Sequence, residues 1–349
     1  MISDWQAFLI QRDAHISNNR VTHFGEPERE RRTVASSHIL CDLSHMGLIR
    51  LSGEEAAQFM QSQFTNDIMQ ISEARSQLNA YCNPKGRMLA DFRTFKRGND
   101  YFLSLPLEIL EATLQRLRMY VLRTKVQLTD GSDDLVRIGY HGPGARERLQ
   151  TLVDHIPQQV DDCTTSAELT IIRVPGPAPR YEIYGSLDAI KPLWEQLAAE
   201  AMLAGASSWS LLDILAGIPT VLIQTREAFI PQMANMDLIG AVNFKKGCYP
   251  GQEIVARMHY LGKLKRRMYR VHIDGPTPPP PGEEIFIKQA DNTQPAGKIV
   301  DAQAHPDGGN DGLAVLQISS AERKDIQLQT RQGARTTIGK LPYALDTSN

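Results

Sequence analysis

One pattern of predicted elements occurs twice along the first 204 residues of the chain. It reads strand, glycine, helix, strand, turn, strand, helix. In the first copy the segments are a strand at 46–51, a helix at 54–63, strands on either side of the turn at 83–86, a strand at 101–105 and a helix at 107–120. In the second they are a strand at 135–140, a helix at 145–153, strands at 169–174 and 180–184, and a helix at 187–204. Two related α+β lobes are therefore predicted.

The remainder of the chain has a different pattern. A proline-rich run at 275–282 cannot continue a helix or donate hydrogen bonds within a sheet. Short alternating apolar runs surround it at 268–273, 284–288, 296–300 and 313–318. This spacing predicts a small antiparallel barrel or sandwich rather than a disordered tail. We therefore expect domains at 1–130, 131–265 and 266–349, with lobe boundaries that need not be continuous in sequence.

The octapeptide 246–253, of sequence KGCYPGQE, is the most specific local motif. Glycine and proline on both sides of Cys248 favour a tight turn, and the apolar spacing after Gly251 favours a helix. Glu253 and Arg257 stand four residues apart and are expected to pair. A helix N-terminus and adjacent cations, including Lys246, favour thiolate over thiol at Cys248. The alternative is a buried structural cysteine, since cysteine is among the most buried residue types.

Composition limits the class of protein. The 349 residues carry a formal net charge of −2, which argues against a dedicated nucleic-acid binder, although basic residues are dense at 245–267. The four cysteines show neither paired CxxC spacing nor a finger pattern, so we expect no metal site built by the protein alone. No apolar run reaches about 18 residues and the N-terminus lacks a signal-peptide layout, so a cytoplasmic protein with no membrane partner is expected.

Further motifs are spread along the chain: FIPQ at 229–232, Asn235, the segment 244–257, QFTNDI at 63–68, NPKGR at 83–87 and AGIP at 216–219. Together they resemble the YgfZ family, which comprises folate-binding relatives of the glycine-cleavage T-protein, an aminomethyltransferase. The resemblance covers most of the chain. It implies two α+β lobes with a C-terminal antiparallel β-barrel, and it implies tetrahydrofolate or a one-carbon derivative as the cofactor.

The resemblance also implies individual site residues. Trp209 corresponds to a tryptophan of the folate pocket, and Met46 stands where the family has a second pocket tryptophan. T-proteins carry an acid where this chain has Leu215, and a pair of adjacent acids where it has only Asp91. Asp91 is thus a candidate base or pterin contact, or else a turn former.

The first functional hypothesis is a folate-dependent maintenance factor rather than a classical turnover enzyme. By resemblance it supports iron–sulfur enzymes and their assembly proteins, including enzymes that modify tRNA. Cys248 is then the essential thiol, as nucleophile or transient ligand, with Lys246, Arg257 and Glu253 supporting it. An aminomethyl-type transferase using Asp91 is the alternative, and a binding module whose basic segment contacts RNA or a client is the third. We expect a monomer that does not bind nucleic acid directly.

Overall fold

Three β-structures organise the chain: a five-stranded sheet, a six-stranded sheet and a closed six-stranded barrel. The computed structural model describes residues 1–166, 168–288, 294–323 and 327–345. The strands are β1 (His15–Ser17), β2 (Arg20–His23), β3 (Ile39–Asp42), β4 (Met46–Ser52), β5 (Gln77–Cys82), β6 (Met88–Arg97), β7 (Asp100–Pro106), β8 (Gln127–Asp130), β9 (Val136–His141), β10 (Cys163–Thr165), β11 (Leu169–Val174), β12 (Arg180–Gly185), β13 (Met202–Ala204), β14 (Arg266–Ile273), β15 (Glu284–Lys288), β16 (Gln294–Ala304), β17 (Asn310–Gln317), β18 (Gln327–Thr330) and β19 (Arg335–Ile338).

Helices are fewer than strands in the described residues. The α-helices are α1 (Ser3–Ile10), α2 (Pro27–Thr33), α3 (Ala56–Gln61), α4 (Leu107–Arg118), α5 (Ala145–Gln150), α6 (Leu187–Ala198), α7 (Ala206–Ala216), α8 (Gln252–Tyr260) and α9 (Ile318–Ala321). Short 3-10 helices span Ile68–Gln70, Ile223–Thr225 and Pro231–Ala234. Among the described residues, no helix combines the length and the apolar composition needed to cross a bilayer.

The two lobes share one strand order, which confirms the predicted duplication. The five-stranded sheet runs β5-β6-β7-β4-β8, and the six-stranded sheet runs β10-β11-β12-β9-β3-β13. In each copy the first strand, β4 or β9, pairs antiparallel with the second strand of the later hairpin, β7 or β12. The copies differ because β3 is inserted between β9 and the last strand of the second lobe.

The largest error in the extent of a predicted helix lies at 187–204. The segment 187–204 was expected to be a single helix, but α6 ends at Ala198 and the next residues form β13. Strand β13 pairs in parallel with β3, with Met202 opposite Ile39. Long-range strand pairing overrides the local helix propensity of the alanine- and leucine-rich segment.

Strands β9 and β12 of the six-stranded sheet carry apolar side chains on one face and mostly polar ones on the other, because side chains alternate along each strand. Ile138 and Tyr140 of β9 and Ile183 of β12 join a buried cluster with Trp5 and Trp194. The residues between them point the other way and are largely polar. That polar face bears on the candidate site described below.

The C-terminal strands close into a barrel, as the resemblance implied. The order is β14-β17-β16-β15-β18-β19, every pair is antiparallel, and β14 closes the ring against β19. Alternate residues such as Val271, Ile273, Ile285 and Leu316 fill its interior. The proline-rich run 275–282 connects β14 to β15, where backbone donors are not required.

The chain divides into two compact units that are discontinuous in sequence. Unit 1 comprises Met1–Phe59, Met69–Gln77 and Arg93–Leu212, and unit 2 comprises Met60–Ile68, Leu78–Phe92 and Asp213–Asn349. The predicted boundaries at 130 and 265 stay predictions. Of the predicted third domain, residues 289–293, 324–326 and 346–349 lie outside the described residues.

Candidate functional site

Cys248 lies in an irregular loop immediately before helix α8. The helix begins after Gly251, whose φ of 81° is the left-handed conformation that glycine adopts without strain, so the predicted helix start is confirmed. Cys248 is exposed, whereas Cys41, Cys82 and Cys163 are buried. Burial raises the pKa of Cys82 to about 12 and that of Cys163 to about 11. Cys248 is therefore the one accessible thiol of the four.

The side chain of Lys246 points inward from the same loop. Its Nζ donates to the backbone carbonyl oxygens of Gln61, Phe64 and Asn66, at 2.7, 2.6 and 2.9 Å. All three ammonium protons are thus donated, and the residue is 9% exposed. Burial lowers the pKa of Lys246 to about 8, while the charge of Asp67 opposes that shift.

The position of Lys246 differs from the sequence expectation. We expected its charge beside Cys248, but its ammonium instead closes the turn that carries QFTNDI. Carbonyl oxygens that solvate the ammonium favour its charged form, as Asp67 does. Lys246 is therefore a brace for the loop, and any through-space effect on Cys248 stays a prediction.

A second set of hydrogen bonds joins the same turn to the start of the loop. Thr65 Oγ1 donates to the Ala241 carbonyl at 2.7 Å, and the Thr65 carbonyl accepts from the Asn243 amide at 3.0 Å. Asn66 Nδ2 donates to the Gly240 carbonyl at 2.7 Å. Residues 240–246 are therefore held at several points, so the exposed thiol is presented by a fixed backbone.

The NPKGR turn packs directly on the N-terminus of α8. A Cβ at Gly251 would lie 2.5 Å from the Asn83 carbonyl oxygen and 2.7 Å from the Gly86 Cα. Asn83 Oδ1 accepts from the amides of Lys85 and Arg87, which fixes the turn. Two motifs about 160 residues apart in sequence thus form one substructure, whose close approach requires glycine.

The predicted pair of Glu253 and Arg257 does not form in this structure. Both residues lie on α8 one turn apart, and both are exposed. None of the ion pairs among the described residues joins them, because exposed side chains gain little from such pairing. Their predicted support of Cys248 stays a prediction, and Arg257 is an exposed cation.

Asp91 lies buried on β6, within unit 2. Its Oδ1 accepts from the Val221 amide at 2.6 Å. Burial raises the pKa of Asp91 to about 7, and the charge of Asp213 adds to the increase. A carboxyl that titrates near neutral pH suits proton transfer, which keeps the predicted role as base chemically reasonable.

Trp209 lies on α7 and packs against the polar face of the six-stranded sheet. A Cβ at Gly139 would lie 2.5 Å from Cζ3 of the indole, so only glycine leaves room for the ring. The guanidinium carbon of Arg180 lies 4.8 Å from the ring centroid. The residue is 2% exposed, so a ligand that stacks on Trp209 must displace a covering group.

Met46 belongs to unit 1, as Trp209 does, but lies in the other sheet. It is the first residue of β4 in the five-stranded sheet, opposite Pro106, and it is partly buried. The sequence-predicted residues therefore fall into two groups. Trp209 and Met46 belong to unit 1, and Cys248, Lys246, Glu253, Arg257 and Asp91 belong to unit 2.

Sequence reasoning missed a row of buried polar side chains beside Trp209. Arg137 and His141 on β9, and Arg180 and Tyr184 on β12, are each 3% exposed or less. Tyr184 donates to Glu182 at 2.6 Å. The signal was visible, since polar and apolar residues alternate along 136–141 and 180–184, but alternation usually marks a face turned to solvent.

The chemistry of these side chains suits a flat ligand with a polar edge, such as a reduced pterin. Arg137 Nε and His141 Nδ1 are buried and lack a hydrogen-bond partner among the described residues. Burial lowers the pKa of His141 to about 4, so its ring is neutral near pH 7 and can donate or accept. An aromatic ring, neutral imidazole and guanidinium groups on one face are suitable partners for a pterin ring.

Comparisons with known proteins agree with this architecture. The family described as the GCVT N-terminal domain matches residues 14–245. The tRNA-modifying protein YgfZ of Colwellia psychrerythraea is 31% identical over 309 residues, covering 88% of this chain and 93% of that protein. The chain belongs to the YgfZ family.

Another YgfZ protein and a T-protein structure also match over most of the chain. The tRNA-modifying protein YgfZ of Cronobacter sakazakii is 28% identical, covering 92% of this chain and 98% of that protein. A crystal structure of glycine cleavage system aminomethyltransferase T from Bartonella henselae superposes with a TM-score of 0.81 at 15% identity, covering 99% of this chain and 98% of the other. The described residues therefore have a T-protein-like fold from the first lobe to the barrel.

Proposed function

We propose that this YgfZ-family protein is a folate-binding factor that supports tRNA modification and uses Cys248 as its reactive thiol. The observation that carries the proposal is an exposed thiol on a braced loop. Lys246 and the turn at residues 61–66 fix the backbone, while the sulfur stays accessible. A purely structural cysteine would be expected inside the core, as the other three are. The relatives named as tRNA-modifying proteins indicate the process.

We assign folate binding to the polar face of the six-stranded sheet in unit 1. Trp209 would provide the aromatic surface, and Arg180 and His141 would provide polar contacts to the pterin edge. When bound, tetrahydrofolate supplies a carrier for one-carbon units. The acid that T-proteins use at the position of Leu215 is missing, so Arg137, Arg180 and His141 must provide the polar contacts in this chain.

A cysteine thiolate is the common protein ligand of iron–sulfur clusters. An exposed one can act on a cluster that belongs to a client enzyme. We propose that Cys248 serves iron–sulfur enzymes in this way, including enzymes that modify tRNA.

Replacement of Cys248 by serine tests the proposal. Serine fits the same exposed loop, so the free energy of unfolding should change by less than about 1 kcal/mol. Its hydroxyl is neither a soft metal ligand nor a thiolate, so function should be lost. The variant is expressed in a strain lacking the gene, and an iron–sulfur-dependent tRNA modification is measured beside calorimetry with tetrahydrofolate. Full restoration of the modification by Cys248→Ser would contradict the role of the thiol.

A second candidate function is favoured by one observation. Asp91 is a buried carboxyl whose pKa is raised to about 7, which suits a base in aminomethyl transfer to tetrahydrofolate. Formaldehyde or methylene-folate production from candidate amine donors measures this activity. Turnover that disappears in Asp91→Asn and persists in Cys248→Ser would establish the transferase in place of the maintenance factor.

A further inference from the structure

The segment that contains Cys248 and α8 carries a concentrated positive charge. Between residues 244 and 266 the exposed cations are Lys245, Arg257, Lys263, Lys265 and Arg266, and Glu253 is the one acid. We call these five cations the basic surface. Among the described residues none of the five has an ion-pair partner. The net charge of −2 is an average over the chain and conceals this local excess.

Arg267, the next cation in the sequence, differs from these five exposed cations. Arg267 is buried and binds Asp237 through two hydrogen bonds, at 2.6 and 3.0 Å. Its guanidinium is thus neutralised inside unit 2. The five cations before it stay in solvent, where a polyanion can reach them.

Exposed aromatic and apolar side chains lie among these cations. Phe244 and His259 stack with ring centroids 3.7 Å apart, and Tyr260 meets the edge of that pair. Tyr260 is 63% exposed and Leu261 is 85% exposed. Exposed aromatic rings beside cations are the means by which proteins hold unpaired bases of RNA.

We propose that the basic surface, together with Tyr260, binds RNA at a loop with unpaired bases and holds it next to Cys248. The five cations match the phosphate backbone, and Tyr260 offers a ring face to a base. An acidic protein would satisfy the cations but gives no reason for the exposed aromatic group. The inference deepens the function proposed above and rests on it for the choice of tRNA as the RNA.

Charge reversal with a matched control tests the inference. The test variant is Lys263→Glu/Lys265→Glu/Arg266→Glu. The control is Lys298→Glu/Arg335→Glu/Lys340→Glu, which makes the same charge change at exposed positions of the barrel and after it. Binding of fluorescent unmodified tRNA to the full-length protein is followed by anisotropy at several salt concentrations.

Wild type and the control should bind tRNA with similar affinity and steep salt dependence. The test variant should bind at least about tenfold more weakly, with a log–log salt slope smaller by about 2, since three phosphate contacts are lost. Equal losses in both triple variants, or no binding by wild type at low salt, would overturn the inference. So would displacement of tRNA by polyglutamate at the same charge concentration, because that would assign the surface to an acidic protein.

A second variant tests the aromatic contribution. Tyr260→Ala should weaken binding of a hairpin with an unpaired loop about fivefold or more, and leave binding of a duplex of equal length unchanged. Equal losses of affinity for the hairpin and the duplex would show that Tyr260 does not contact an unpaired base. Tetrahydrofolate binding and alkylation of Cys248 are measured on the same variants. Both should be retained, so loss of RNA binding is distinguishable from failure of the folate or thiol function.

Discussion

Lys246 is a single residue on which the geometry of the candidate site depends. An ammonium taken out of water is costly unless its protons are donated, and here three carbonyl oxygens accept them. The same bonds close the turn at residues 61–66 against the loop of Cys248. A neighbouring lysine, Lys245, is exposed and makes no comparable contact. Substitutions of Lys246 and Lys245 therefore form a matched comparison of a buried and an exposed lysine.

Lys246→Met should lower the free energy of unfolding by about 3 kcal/mol, because buried carbonyl groups lose their donor. Lys245→Met should change it by about 0.5 kcal/mol or less. Urea unfolding measures both, and amide exchange at residues 244–249 should become faster in Lys246→Met alone. Equal stability of the two variants would show that Lys246 does not brace the loop.

Asp91 is the residue whose charge should appear in the pH dependence of stability. Its pKa is raised from 3.8 to about 7 in the folded protein. Between pH 3.8 and pH 7, therefore, the carboxyl holds a proton in the folded state that it has lost in the unfolded state. Stability must therefore fall as pH rises through that window, and Asp91→Asn removes the loss. At pH 8 the variant should melt about 5 °C higher relative to wild type than it does at pH 4.

Thermal unfolding of wild type and Asp91→Asn between pH 4 and pH 8 measures this difference. Asp274→Asn, at an exposed position, is the control and should follow the wild-type curve. Parallel curves for wild type and Asp91→Asn would mean that the carboxyl is already ionised in the folded protein at pH 4.

At the scale of elements, the NPKGR turn and the start of α8 form one joint. Gly251→Ala should destabilise the protein by about 3 kcal/mol, because its left-handed φ is strained for alanine and the Cβ meets the backbone of Asn83 and Gly86. Gly240 has a similar left-handed φ of 74°, but no atom lies within 4 Å of a Cβ added there, so Gly240→Ala tests the strain alone. It should cost only about 1 kcal/mol. Chemical denaturation of the two variants separates the cost of the steric clash from the cost of the strained φ. Equal losses of stability would show that the backbone around Gly251 shifts to accommodate the added Cβ.

Most elements were predictable because their signals are local. Strand 169–174 and strand 284–288 were predicted with the bounds that the structure has, since both are apolar-rich and flanked by turn residues. The error at 187–204 arose because β13 exists only through pairing with β3. Insertion of β3 between β9 and β13 likewise depends on contacts about 100 residues or more apart.

The candidate site was predictable in part for the same reason. The exposed Cys248 before a helix follows from glycine and proline spacing. The three carbonyl partners of Lys246 lie some 180 residues earlier in the chain, so no local pattern gives them. The polar row beside Trp209 follows from the alternation of polar and apolar residues along β9 and β12, but only the fold shows that this face is buried.

At the scale of the whole molecule, the two units carry different parts of the proposed function. The residues assigned to folate lie in unit 1, and the exposed thiol and the basic surface lie in unit 2. Ligand binding stabilises the part of a protein that forms the site, by an amount set by ligand concentration. Folate should therefore act on the unfolding of unit 1, while changes at Cys248 leave that effect intact.

Tetrahydrofolate at about 100 times its dissociation constant should stabilise unit 1 by about 2.7 kcal/mol, which raises its melting temperature by about 5–10 °C. Trp209→Phe should reduce the shift by half or more, because the smaller ring offers less surface to the pterin. Cys248→Ser should show the wild-type shift, since serine leaves the polar face unchanged. Calorimetry gives the shift, and amide exchange of β9 and β12 shows whether unit 1 is protected. A full shift in Trp209→Phe, or protection confined to residues of unit 2, would place folate away from the polar face and leave its buried polar atoms without an assigned ligand.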